Sequence, residues 1–97
     1  MISSCVIKVG ADDCPICTAM GEFDKDVSQE LGLSLWYIPL SDVGSHPSIR
    51  EYLLKTHVDE NGLVDIPIYI LRMDDSFVGS FEGEMDRAAF KFALEAF

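Results

Sequence analysis

The sequence has few positive charges. Lysine and arginine together number 7, against 17 aspartates and glutamates, and the formal net charge at pH 7 is −10. Phosphate backbones and anionic lipid surfaces are bound through clustered lysine and arginine, so both would be repelled by this chain. Nucleic acids and membranes are therefore not expected as direct partners.

Cysteine is scarce and odd in number. Of the three cysteines only two are close in sequence, which differs from the even, regularly spaced set of a secreted disulfide scaffold. The first four residues carry no basic side chain, and the apolar stretch after them is broken by Lys8 and Gly10. No signal peptide or membrane span is expected, and these features favour a reducing compartment and a cytoplasmic protein.

Apolar residues are plentiful, at 48% of the 97 residues. That content is enough for one compact domain over residues 1–97 with a core that needs no disulfide or metal. We expect this domain to be monomeric.

The first forty residues predict a βαβ unit. Residues 5–9 form a nearly continuous apolar run, typical of a strand covered on both faces, and residues 34–40 form a second one. Between them one helical stripe runs from Ile16, with Gly21 as a candidate kink and Gly32 as the end. Its later members are Met20, Phe23, Val27 and Leu31. A helix between two buried strands makes the strands parallel.

The remaining chain predicts a helix, a hairpin and a last helix. A cap-and-proline start at residues 45–47 begins the second helix, and residues 66–71 and 77–81 pair as antiparallel strands. Asp86 is a good N-cap for the C-terminal helix. The order β-α-β-α-β-β-α predicts an α/β fold with a four-stranded mixed sheet flanked by helices. Pro67 stands second in an otherwise central strand, where a proline is unusual.

Cys14 and Cys17 carry the one clear chemical motif, Cys-Pro-Ile-Cys at a helix start. Two thiols three residues apart lie within disulfide reach, and the helix N-terminus favours a thiolate at Cys14. Pro15 suits the first helical position. The plain alternative is a pair of unreactive buried cysteines.

A zinc site is a further alternative for these two thiols, and it requires two more ligands. Three other side chains could serve, but none has ligand spacing to another: Cys5, His46 and His57. No metal is expected.

The chain resembles the thioredoxin superfamily in its small, glutaredoxin-sized form. Residues 6–10 through Cys17 resemble the start of glutaredoxins, whereas Ile66-Pro67 and the run from Gly83 to Asp86 resemble thioredoxins. The resemblance covers nearly the whole chain and implies a thioredoxin-like fold. It also implies that Pro67 is a cis proline facing the thiols, which accounts for a proline in that strand.

The resemblance implies a thiol–disulfide oxidoreductase that reduces protein disulfides, with a role in electron transport and cell redox homeostasis. Cys14 would attack the substrate disulfide and Cys17 would resolve the mixed disulfide. No cofactor would be bound, and the external electron donor would be a thioredoxin reductase or glutathione. The partners would be disulfide-containing proteins and that donor.

Substrate binding is assigned to residues around the thiols: Pro15, Ile16, Ile66, Pro67 and Gly83. By resemblance, the backbone beside the cis proline pairs with an extended substrate segment. Few side chains dictate sequence there, so we expect many substrates or a choice by charge.

Asp12 and Asp13 are candidates for tuning the thiol, because they immediately precede Cys14. Their charge opposes the thiolate that the helix terminus favours, and the two effects are of similar size. We therefore expect a Cys14 thiolate only slightly more stable than that of a free cysteine, and a reductant rather than an oxidant. The alternative is that both aspartates only solvate a loop and cap the helix.

Lys8 is the third tuning candidate. It stands six residues before Cys14. In the thioredoxins that this chain resembles, this position carries a buried carboxylate that assists the resolving thiol, so the lysine departs from the family pattern. We favour a lysine that reaches out of the sheet end and pairs with an acid. The alternative is an ammonium that stabilises a Cys17 thiolate.

Other distinctive residues receive structural interpretations. Trp36 is expected in the core, Cys5 is expected to act as a small buried hydrophobe, and the acidic residues 22–30 are expected to form a solvated helix face. His46 and His57 have no partner at motif spacing and are assigned no role.

Two other functions stay open. A glutathione-dependent reductase is less favoured, because the sequence near the motif offers no basic group for the carboxylates of glutathione. A non-enzymatic adaptor would use the acidic surface to bind a partner protein, and the dithiol would then be incidental.

Overall fold

A computed structural model describes residues 4–97, and the expectation that residues 1–3 belong to no signal peptide lies outside the described residues. The four strands are β1 (Ser4–Gly10), β2 (Ser34–Pro39), β3 (Ile68–Met73) and β4 (Ser76–Glu82). The α-helices are α1 (Pro15–Met20), α2 (Asp24–Glu30), α3 (Pro47–Thr56) and α4 (Arg87–Glu95). A 3₁₀ helix (Leu40–Ser45) precedes α3.

The four strands form one mixed sheet in the order β2-β1-β3-β4. β1 and β2 are parallel, whereas β3 is antiparallel to both β1 and β4. The predicted parallel βαβ unit and the predicted hairpin are both confirmed. β1 is a central strand, buried along nearly its whole length, which is why its sequence is a continuous apolar run.

The helices divide between the two faces of the sheet, and each face has its own core. On one face α3 and the 3₁₀ helix cover the odd-numbered residues of β1, with Ile49 and Leu53 among the buried contacts. On the other face Met20, Val27 and Phe90, from α1, α2 and α4, cover Val6 of β1. The α/β class and the four-stranded mixed sheet flanked by helices are confirmed.

The single helix predicted after the cysteine motif is wrong, because it is divided into α1 and α2 at residues 21–23. The division begins at Gly21, the predicted candidate kink. There the backbone makes i to i−3 hydrogen bonds, from Glu22 N–H to Ala19 O and from Phe23 N–H to Met20 O. A β-carbon on Gly21 would lie 3.1 Å from Thr18 O. The apolar residues keep their helical spacing across residues 21–23, so the periodicity of the sequence alone does not reveal the division.

β2 is an edge strand, and this corrects the interpretation of Trp36. The side chain is 54% exposed rather than buried in the core. Among residues 4–97, β1 is the only strand that is hydrogen-bonded to β2. Packing at this edge covers Ile38 and leaves Trp36 and Tyr37 exposed.

Two smaller expectations are confirmed. Asp86 is the N-cap of α4, since its carboxylate accepts a hydrogen bond from Ala89 N–H at 2.8 Å. Cys5 is buried, at 8% exposure. Within residues 4–97, no helix combines the length and apolar character needed to cross a membrane.

Candidate active site

Cys14 and Cys17 are joined by a disulfide at the start of α1. Cys14 is the N-cap residue, and its sulfur accepts a hydrogen bond from Cys17 N–H at 3.2 Å. The Cys14 side chain is half-buried and that of Cys17 is buried at 3% exposure. The two sulfurs therefore differ in access, so that an incoming group meets Cys14 first.

The helix around the pair is shaped by its sequence. Pro15 occupies the first helical position, where its missing N–H leaves no donor unsatisfied. Ile16 is exposed at 36% and presents an apolar surface beside Cys14. The Thr18 hydroxyl donates to Cys14 O at 3.2 Å, which adds a side-chain bond to the first turn.

The Ile66–Pro67 peptide bond is cis, the isomer that the resemblance implies. Val9 of β1 pairs with Ile68 of β3, so Pro67 lies one residue further along, level with Gly10. A β-carbon on Gly10 would lie 3.0 Å from Cys17 Sγ. The strand register therefore brings Pro67 to the end of the sheet that holds the thiols.

Gly83 lies next to Pro67, at the same end of the sheet. Its N–H donates to Pro67 O at 3.2 Å, and its φ of +97° is one that a side chain rarely adopts. The third strand begins at Ile68 rather than at Ile66, because Ile66 and Pro67 form the connection into it. Ile66 is half-buried and Pro67 is buried.

Lys8 is buried at 6% exposure, so the prediction that it reaches out of the sheet is wrong. Its ammonium does pair with an acid, through a 2.6 Å ion pair with Asp24 Oδ2. The same ammonium donates to Cys17 O at 2.8 Å. Tyr69 donates its hydroxyl to Asp24 Oδ2 at 2.8 Å, and we name Lys8, Asp24 and Tyr69 the lysine cluster.

Asp24 was missed by the sequence analysis, which took it for part of a solvated helix face. The side chain is buried, at 2% exposure. Its position carried a signal, since it lies four residues after Met20 and three before Val27, on the apolar stripe itself. A buried carboxylate requires a partner, and Lys8 on β1 supplies it.

Asp12 and Asp13 are exposed beside Cys14, as the sequence implies. Tyr37 of β2 donates its hydroxyl to Asp12 Oδ1 at 3.2 Å. Burial raises the pKa of Tyr37, and the hydrogen bond to Asp12 and the charges of both aspartates add to the rise. The rim of the thiol site is therefore acidic.

No protein-family model matches the chain, and no curated protein does. Solved structures do match. A mutant thioredoxin from Halobacterium salinarum has a TM-score of 0.67 at 17% identity, over 97% of this chain and 74% of that one. A reduced thioredoxin pre-protein from Schistosoma mansoni has a TM-score of 0.66 at 16% identity, over 98% and 79%.

Thioredoxin-2 of the malaria parasite, described as a component of its protein secretion machinery, has a TM-score of 0.63 at 12% identity. The match covers 99% of this chain and 84% of that one. The chain has the thioredoxin fold. At these identities the likeness is one of fold.

Within this thioredoxin fold a second polar cluster lies on the α3 face, and the sequence analysis missed it. His57 Nδ1 lies 2.6 Å from Glu82 Oε1, and His57 Nε2 lies 2.6 Å from Ser80 Oγ. The Tyr52 hydroxyl lies 2.8 Å from Ser80 Oγ. We name Tyr52, His57, Ser80 and Glu82 the histidine cluster, and only the two-residue spacing of Ser80 and Glu82 on one strand hinted at it.

A zinc site at Cys14 and Cys17 would require further ligands. Among residues 4–97 no group of three or more histidine, cysteine, aspartate or glutamate side chains is placed to hold a metal ion. His46 is exposed as the residue before α3, and Cys5 is buried at the opposite end of β1 from Gly10.

Proposed function

We propose that this protein is a thiol–disulfide oxidoreductase that reduces protein disulfides through Cys14 and Cys17. The observation that carries the proposal is the cysteine pair at the start of α1, in which Cys14 is half-buried and Cys17 is buried. The thioredoxin fold around the pair supports it.

The proposed reaction is a two-step exchange. The Cys14 thiolate attacks one sulfur of the substrate disulfide, forming a mixed disulfide and releasing one substrate thiolate. The Cys17 thiolate then attacks Cys14 Sγ, closes the Cys14–Cys17 disulfide and releases the second substrate thiolate. Two electrons pass from the dithiol to the substrate, whose two thiolates take protons from water. The order follows from access, because Cys17 is buried.

We assign substrate binding to the apolar surface around Cys14. Ile16 is exposed beside it, and Ile66, Pro67 and Gly83 lie at the same end of the sheet. Backbone groups next to Pro67 would pair with an extended substrate segment, with Pro15 shaping the helix start.

No bound cofactor is required by this reaction, but an external electron donor must restore the dithiol. A thioredoxin reductase is the favoured donor and glutathione is the alternative. Asp12 and Asp13 are exposed beside Cys14, and their charge would repel the carboxylates of glutathione. The cytoplasmic location and the monomeric state stay predictions.

The test is the reduction of insulin disulfides in the presence of dithiothreitol, followed by turbidity. We expect the wild-type protein to accelerate precipitation and Cys14→Ser to abolish the acceleration. Cys5→Ser is the matched control, because Cys5 lies far from the pair and should leave activity intact. An inactive wild-type protein would favour the adaptor function.

The donor and the substrates need a second experiment. A Cys17→Ser variant cannot resolve the mixed disulfide, so covalent capture followed by release with reductant should identify both. Robust turnover in a glutathione-coupled disulfide assay would make glutathione the donor instead of a reductase.

A further inference from the structure

We propose that Lys8 is a positioning residue whose buried ammonium stabilises the Cys17 thiolate during resolution of the mixed disulfide. The proposal rests on the proposed function and concerns its second step. The Lys8 ammonium has no role in the two-step exchange described above, and the proposal gives it one.

The first observation is how firmly Lys8 is held against the Cys17 turn. Its ammonium donates to Cys17 O at 2.8 Å and to Asp24 Oδ2 at 2.6 Å. The carbonyl oxygen and the sulfur belong to the same residue, so covalent geometry keeps the ammonium within about 8 Å of Cys17 Sγ. Gly21 lies beside the ammonium, since a β-carbon there would be 3.5 Å from it, at ordinary van der Waals contact.

The second observation is a shallow, open pocket of about 240 Å³ that Cys17 lines. Lys8 and Cys17 both line it, together with Asp12, Thr18 and Tyr37, whereas Asp24 and Tyr69 do not. Lys8 is thus the member of the lysine cluster that shares this pocket with Cys17. The carboxylate end is directed into the core, where Tyr69 also donates to it.

The Lys8 ammonium is the charge that is hydrogen-bonded to the Cys17 turn, and the tyrosines near it are neutral. On the β3 side, burial and then the Asp24 charge raise the pKa of Tyr69 well above its ordinary range, so this side chain stays a neutral donor. On the β2 side, burial and the hydrogen bond to Asp12 raise the pKa of Tyr37, which stays neutral as well. Asp12 is exposed and its charge is screened by water.

In the resolution step, Cys17 ionises and then displaces the substrate sulfur from Cys14. The Cys17 thiol gives its proton to water in the pocket, since a charged ammonium has no lone pair to accept it. The resulting thiolate attacks Cys14 Sγ, the Cys14–Cys17 bond forms, and the bond from Cys14 to the substrate sulfur breaks. The substrate sulfur leaves with the electron pair. Lys8 raises the fraction of Cys17 that is ionised and takes no part in bond formation.

A chromogenic aromatic disulfide, 5,5′-dithiobis(2-nitrobenzoate), tests the proposal in stopped flow. The reduced protein releases a first thionitrobenzoate when Cys14 attacks and a second when Cys17 resolves the mixed disulfide. We expect Lys8→Met to slow the second release about tenfold at pH 7 and to leave the first nearly unchanged. The difference should narrow as the pH is raised, because Cys17 then ionises without help.

Three variants separate charge from packing. Lys8→Arg keeps the cation and should recover most of the rate. Lys8→Met/Asp24→Leu removes both buried charges, should fold without an unpaired carboxylate, and should stay slow in the second release. Lys25→Met removes an exposed lysine next to Asp24 in sequence and should change neither release.

The two releases distinguish a failure of the Lys8 role from a failure of the proposed function. A second release that is unchanged in Lys8→Met, or slowed equally at every pH, overturns the role of the ammonium while leaving the oxidoreductase function intact. A wild-type protein that releases no second thionitrobenzoate contradicts the proposed function itself.

Discussion

The lysine cluster and the histidine cluster lie on opposite faces of the sheet and differ in their access to water. Lys8 and Asp24 have side chains that are 7% and 3% exposed, whereas Glu82 is 33% exposed beside a buried His57. Both clusters join a strand to a helical segment. The first holds two buried charges whose partners are each other, Cys17 O and the Tyr69 hydroxyl. In the second, the carboxylate is also accessible to solvent.

This difference indicates what each cluster does for the fold. A buried ion pair gains little over an apolar replacement, but the loss of one partner leaves an uncompensated charge. When the partner of a solvent-accessible polar group is removed, water can replace the lost hydrogen bond, so the free energy of unfolding falls much less. A single substitution in the lysine cluster should therefore lower the free energy of unfolding strongly. A single substitution in the histidine cluster should lower it only slightly.

The largest effect is expected for Asp24→Asn in the oxidised protein. The change preserves shape but leaves the Lys8 ammonium buried without an anion, so the free energy of unfolding should fall by about 3–5 kcal/mol. Urea denaturation measures it. The double variant Lys8→Met/Asp24→Leu should regain most of the loss, and a loss below about 1 kcal/mol for Asp24→Asn would mean that the ammonium finds water.

A smaller effect with a pH signature is expected at Tyr69. Because burial and the Asp24 charge raise the pKa of this phenol in the folded protein, the unfolded chain alone loses the proton above about pH 10. The stabilisation is fully present below pH 10, and the free energy of unfolding then falls by about 1.4 kcal/mol per pH unit from this one group.

The comparison of Tyr69→Phe with the wild-type protein isolates that slope. The variant should be about 1.5–3 kcal/mol less stable at pH 7, since Asp24 loses a donor, and its stability should decline less steeply above pH 10. Tyr37→Phe is the matched comparison: the pKa of Tyr37 is also raised, but this side chain is 42% exposed, so its removal should change the slope less. Equal slopes in Tyr69→Phe and the wild-type protein would contradict the assignment.

The two clusters also show where the sequence was informative and where it was not. The four strands, the parallel βαβ pair and the cysteine motif could be predicted, because periodicity and turn residues are local signals. Lys8 and Asp24 are sixteen residues apart, and neither charge reveals from sequence that the other is buried with it. Trp36 was misplaced because an apolar run in an edge strand is indistinguishable from one in a central strand.

A loss of about 1–2 kcal/mol is expected for His57→Ala, which breaks two hydrogen bonds of the histidine cluster. Ser80 keeps its bond to Tyr52, and Glu82 can turn to water. Urea denaturation measures the loss at neutral pH. The second thionitrobenzoate release should be unchanged, because this cluster lies on the α3 face. A slowed release would connect the histidine cluster to the thiols after all.

The smallest effect is expected for Glu82→Gln, which repeats the Asp24→Asn change of carboxylate to amide in the more exposed cluster. The amide oxygen can still accept from His57, and water can reach the side chain. The free energy of unfolding should therefore change by less than about 1 kcal/mol. If Glu82→Gln proved as costly as Asp24→Asn, exposure would not be what separates the two clusters, and the His57–Glu82 contact would be a charged pair as demanding as that of Lys8.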